Sequence, residues 1–331
     1  MTPPALADER RMTRTGPPRG AGPAAAPSAR RRRFRLLGTI TLFLLPALVL
    51  FALLVLAPIA VAVYTSAFKW NGLGGLPRNF VGLDNFTRMF GDEVFVGDLR
   101  RGALLIALSL VIQLPLALAI AMLLNQRMRG RAVYRLLFFA PYVLSEVITG
   151  VLFTMIFSPD AGLANQILGL AGIDGPQWLA DPSLVMMTLF LVMTWKYFGF
   201  HMILYLAGRQ GIPKELGEAA AIDGAGPWKR FRYVTLPLLG PTIRVSVFLS
   251  VIGAIQLFDL VWVLTAGGPI HSSETMAVTM FQFGFKRSQI GYASAVSVVM
   301  FVISLVFALG YQRFVLRRDT EGAITTMRAQ R

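Results

Sequence analysis

Six stretches of this chain are each long and apolar enough to cross a lipid bilayer, and that feature decides most of what it can fold into. They cover residues 36–64, 102–124, 136–157, 184–206, 242–264 and 293–314. About 20 apolar residues span the hydrocarbon core as a helix, and a helix satisfies its own backbone groups where no water can. The expectation is an all-α membrane protein with six transmembrane helices joined by short connections. Composition agrees: 55% of the 331 residues are apolar and only 15% are charged.

Charge sets the orientation. With the N-terminus placed in the cytoplasm, the inner segments are 1–35, 125–135, 207–239 and the C-terminal tail. Counting Arg313 at the inner edge of the last stretch, these hold 23 of the 32 Lys and Arg against 7 acids. The outer connections hold 7 basic and 8 acidic residues, and the one after the third stretch has Asp160, Asp174 and Asp181 but no Lys or Arg. Basic residues concentrate on the cytoplasmic side of membrane proteins, so both termini are expected inside. The net charge of +15 is then a consequence of topology and does not imply nucleic-acid binding.

Some chemistry is excluded at once. There is no cysteine, so neither disulfides nor thiolate metal sites are available. The only histidines are His201 and His271, too far apart in sequence to suggest a metal site or a triad. The spans also lack the cluster of His, Asp, Glu or Ser that a membrane-embedded enzyme would need. No catalytic, metal or cofactor site is expected in this chain.

Residues 1–35, rich in Pro, Ala, Gly and Arg, read as a disordered cytoplasmic tail. Residues 36–101 hold the first span and an outer loop with scattered aromatics, 102–318 the remaining spans, and 319–331 a second cytoplasmic tail. Arg31-Arg32-Arg33-Phe34 superficially resembles an export signal, but the apolar run behind it is too long and five more follow.

The basic connection 207–239 has the signals of a helical hairpin. Pro213 suits a first helical position, Lys214 to Asp223 are mostly helix formers, and Gly224 can end the helix in the left-handed conformation. Pro227 restarts a helix that Pro237 ends. Leu216, Ala219 and Ala220 fall on one face of the first helix. On its residues alone the hairpin suits either the lipid headgroups or a close-fitting partner.

A longer pattern resolves that choice. Glu218-Ala219-Ala220 is followed by three residues and Gly224, then after a spacer of nine by Val234, one residue and Leu236-Pro237. This resembles the EAA loop by which permeases of binding-protein-dependent ABC importers grip their ATPase. The resemblance extends over about residues 100–310. It includes Gly130, Arg135, Phe139 and Pro141; Gly162 and Asn165; Trp195, and Leu206-Ala207-Gly208 through Glu215. It continues through Phe258-Asp259, Leu264-Thr265-Ala266-Gly267-Gly268-Pro269, and Gly291-Tyr292-Ala293-Ser294-Ala295. The element ending in Gly-Gly-Pro resembles the first of two permease types in heterodimeric carbohydrate importers of the maltose and glycerol-3-phosphate class. Arg209 departs from the family, which usually has an apolar residue there.

The resemblance implies a pump of alternating access with no chemistry of its own. An ATPase dimer would use ATP and Mg in its own chains, an external solute-binding protein would hand over a sugar or polyol, and a second, non-identical permease would complete the pore. Glu218, Ala219, Ala220, Asp223 and Gly224 are the implied ATPase contact. An ion-coupled secondary transporter is the alternative; it would need no EAA loop, and would be expected to show inverted repeats and paired ionisable groups at mid-membrane.

Polar residues inside spans are functional candidates because an unpaired charge is costly there. Glu146 in the third span, Lys196 in the fourth, and Gln256 and Asp259 in the fifth qualify as lining the substrate pathway. Gln256 and Asp259, three apart, are expected on one helix face near Phe258 and Trp262. Alternatively Glu146 or Asp259 pairs with Lys196, or Lys196 reaches the outer surface. His201 reads as a packed or hydrogen-bonded helix residue and Arg244 as a headgroup anchor. Gly267-Gly268-Pro269 is either a plain turn or part of the outer vestibule.

Overall fold

The computed structural model describes residues 29–126 and 128–316. Positions 1–28 and 319–331, assigned above to the two tails, lie outside the described residues.

Among the described residues, those up to Ala57 form one unit and those from Pro58 onward a second, larger one. The first contains α1 (Ala29–Phe51) and a π-helical turn, Ala52–Leu56. Helix α2 (Ala57–Ser66), whose first residue is the last of the first unit, leads to a loop and to α3 (Asp84–Phe90). Then come α4 (Glu93–Leu108), a π-turn at Ser109–Gln113, and α5 (Leu114–Leu124). They are followed by α6 (Arg131–Val143), α7 (Glu146–Ile156), α8 (Leu163–Leu170) and α9 (Val185–Gln210). The hairpin region comprises α10 (Lys214–Ile222), α11 (Pro227–Arg230) and, after a π-turn, α12 (Leu236–Leu238). The chain ends with α13 (Gly240–Ile255), α14 (Asp259–Leu264), α15 (Met276–Phe281) and α16 (Ile290–Tyr311). No β-strand occurs among the described residues; a single bridge joins Phe68 and Phe80.

Four helical stretches can cross a bilayer by length and composition: Gly38–Ser66, Glu93–Leu124, Val185–Gln210 and Ile290–Leu316. Two more candidates are bent. Arg131–Val143 and Glu146–Ile156 meet at 98°, and Pro227–Leu238 and Gly240–Ile255 at 66°. The third apolar stretch, expected as a single helix, is therefore interrupted, and so is the fifth, between the end of α13 and the start of α14.

Each interruption has a local cause. Leu144 and Ser145 are extended, and Ser145 caps the next helix by accepting from the Ile148 N–H at 3.1 Å. In the fifth stretch α13 ends at Ile255, and Phe258 (φ −129°, ψ −67°) precedes the new start at Asp259. The half-helices α7 and α14 pack together, with Phe153 and Phe157 beside Leu260, Val261 and Leu264 in one buried cluster. Helix α9 runs through the middle of the bundle, with Leu189, Val192 and Met202 fully buried. Its Gly199 lies against α6, where a Cβ would stand 1.9 Å from the Phe138 carbonyl oxygen.

Candidate functional site

The hairpin protrudes as its sequence requires. Pro213 stands just outside α10 as its cap (ψ 136°), one residue earlier than expected, and Lys214 is the first helical residue. Gly224 adopts φ +81°. Its N–H donates to Ala221 (3.1 Å) and that of Ala225 to Ala220 (2.9 Å), the paired bonds of a Schellman ending. No residue of α10 is buried. Glu218, Ala219, Asp223 and Gly224 are exposed and Ala220 is half-exposed, while Ile222 and Trp228 are 87% and 72% exposed. The short helix thus leaves small and apolar side chains uncovered.

The second candidate site lies where the helices are irregular. The breaks before Glu146 and Asp259, the π-turn Ser109–Gln113 and the centre of α9 surround one cavity of about 380 Å³. That size lies in the range of small-ligand sites, ~300–1,000 Å³. Glu146, Gln256 and Asp259 are on its wall, but Gln256 ends α13 and Asp259 starts α14. The break brings them to one cavity; they do not share a helix face.

Glu146 and Asp259 each stand at the first position of a half-helix. A carboxylate is favoured there by the partial positive charge of the helix start. The Tyr197 hydroxyl donates to Glu146. Tyr142 and Phe200 stack on the wall, 4.8 Å apart at 23°.

Lys196 and Trp262 take other places. Lys196 is 2% exposed and donates from Nζ to the Leu144 carbonyl at 2.6 Å, one of the backbone groups freed at the break. It neither lines the cavity nor reaches the surface. The second break is treated alike: the Thr275 hydroxyl donates to the Leu257 carbonyl at 2.8 Å. Trp262 stacks on Phe258, meets Phe281 edge-on and lies under the Lys286 ammonium, off the cavity wall.

Sequence reasoning missed Gln113, Tyr142, Tyr197 and Phe200 as wall residues. It read His201 as a bonded helix residue, and the ring Nδ1 does pair with the Ser246 hydroxyl at 2.7 Å while one edge faces the cavity. Ser145-Glu146 inside an apolar run was the available signal, since it is a helix-start signature.

At the other end of α16 from Tyr311, an open cleft of about 1030 Å³ is lined by Lys69, Trp70, Asp84, Arg88 and Gln289. Near it, Asp98 and Glu274 are bridged by the Thr279 hydroxyl (2.5 and 2.9 Å), with Arg101 on Asp98 at 2.6 Å. Gly267 and Gly268 form a tight turn, with the Gly268 N–H on the Thr265 carbonyl at 2.9 Å.

Broken apolar helices around a polar cavity, with an uncovered helix outside the bundle, define a membrane transport protein. The chain belongs to the family described as binding-protein-dependent transport system inner membrane component, which matches residues 113–319. It is 35% identical over 278 residues to the sulfoquinovosyl glycerol transport system permease protein of Agrobacterium fabrum, covering 84% of this chain and 90% of that one. It is 35% identical over 302 residues to the diacetylchitobiose uptake system permease protein of Streptomyces coelicolor, covering 86% and 85%. Its fold matches a chain of a crystallised bacterial ABC transporter that imports alginate, with TM-score 0.77 and 24% identity over 87% of this chain and 98% of that one. This membership favours binding-protein-dependent transport, and nothing supports the ion-coupled alternative.

Proposed function

We propose that this chain is one permease subunit of an ATP-driven importer that moves a sugar or related polyol across a prokaryotic inner membrane. The observation that carries the reading is the uncovered α10 bearing Glu218-Ala219-Ala220 and ended at Gly224. An ATPase surface would cover it, with Glu218 accepting charge-assisted hydrogen bonds and the alanines setting the close fit. ATP and Mg belong to that partner. Sugars enter the reading through the relatives, whose names include a sulfoquinovosyl glycerol and a diacetylchitobiose system.

In this reading both termini and the hairpin are cytoplasmic, because the basic residues gather there. Six spans result if each bent pair supplies one, the second pair through α13 with its hairpin half outside the membrane. Residues 102–318 form the permease core, 36–101 add the first span and an outer connection, and 1–35 and 319–331 are cytoplasmic tails. A second, non-identical permease completes the pathway, and a solute-binding protein docks at the outer end, near the cleft and the Gly267-Gly268 turn. Cargo crosses through the cavity of Glu146, Gln256 and Asp259.

Uptake of labelled cargo by proteoliposomes holding the whole importer tests this. Glu218→Lys and Gly224→Asp are expected to reduce ATP-driven uptake to background while the chain still inserts and purifies. Normal uptake by both variants would overturn the coupling assignment.

A further inference from the structure

The charged side chains that line the central cavity are of one sign. Glu146 and Asp259 line it, and among its lining residues there is no Lys or Arg. Lys196 is behind the wall, held by the Leu144 carbonyl. The helix starts of α7 and α14 would otherwise present partial positive charge to the cavity, about half a unit each. Each is already occupied by its own carboxylate.

Hydrogen-bonding capacity points the same way. Ionised carboxylates only accept, and the Tyr197 hydroxyl is spent on Glu146. The cavity therefore faces its contents with two acceptor-only carboxylates, beside amides and hydroxyls (Gln113, Gln256, Ser250) that can donate or accept. Sugar hydroxyls supply donors to such groups, and the C–H faces of a sugar suit the flat rings of Tyr142 and Phe200. A uronate, phosphate or sulfonate brings only further acceptors and like charge, in a site where water screens little.

We infer that this cavity passes hydroxyl-rich sugars bearing no anionic group and turns away acidic, phosphorylated or sulfonated ones, with Glu146 and Asp259 as the specificity-determining residues. The inference rests on the reading that the cavity is the cargo pathway.

The chain has no cysteine, so Ser250→Cys places a single thiol of this chain on the cavity wall. In the assembled importer in nanodiscs, its labelling by a trimethylammonium methanethiosulfonate and by the sulfonate reagent of similar size is followed by the mass of this chain. Rates are divided by those of the same reagents with 2-mercaptoethanol. The normalised cation-to-anion ratio is expected to exceed one by about tenfold or more. Adding Glu146→Gln and Asp259→Asn is expected to bring it back close to one. A ratio near one with the carboxylates in place would overturn the inference while leaving the pathway reading intact. Labelling by neither reagent would show a cavity closed to water-borne cargo and overturn the reading itself.

Discussion

At the scale of single residues, the account turns on two positions whose chemistry departs from expectation. Lys196 is a buried ammonium that serves the backbone: its 2.6 Å bond satisfies a carbonyl released where α6 stops. Removing a donor from a buried acceptor typically costs about 1–3 kcal/mol. Lys196→Met keeps most of the stem and deletes the donor, so it is expected to lower stability by about that amount, seen as a lower melting temperature of the purified importer. An unchanged melting temperature would remove the structural role and return Lys196 to the pathway candidates. Glu146, five residues past the proline of α6 at Pro141, combines two roles that sequence could suggest only separately. It stabilises a helix start and lines the cavity. Its partner, Tyr197, lies 51 positions away, a separation that no local pattern encodes.

At the scale of elements, hydropathy located the apolar stretches but not their interruptions. The third and fifth contain no long polar break, so a window average reads each as one helix. What divides them is local: a Ser145 cap in one, and non-helical angles at Phe258 in the other. What makes the breaks tolerable is remote, because Lys196 and Thr275 bring donors from other segments. The hairpin was more legible, since Pro213, Gly224 and Pro227 act within a few residues of where they stand. Packing of α6 on α9 depends on the missing side chain at Gly199, where any Cβ would overlap the Phe138 carbonyl. Gly199→Val is expected to push these helices apart and to prevent recovery of assembled importer, measured by co-purification of the other subunits. Unchanged recovery would show that the helices can shift without loss.

At the scale of the whole molecule, irregularity is concentrated in two places. Three departures from straight helix meet at one cavity in the bundle, and the hairpin stands uncovered outside it. Alternating access needs such a division: a pathway whose walls can rearrange, and a separate lever on which a partner acts. A partner shifts such an equilibrium only by binding the two states differently, so the proposed coupling requires α10 to be held by the ATPase throughout the cycle. The absence of cysteine makes this directly measurable. With Ala219→Cys in the assembled importer in membranes, a short thiol-to-amine cross-linker is expected to join this chain to the ATPase subunit. Ile270→Cys, which is 86% exposed in the loop before α15, is expected to give no such product. Failure of the Ala219 thiol to cross-link to the ATPase, with free labelling by water-soluble reagents in the complete complex, would contradict the coupling role of α10.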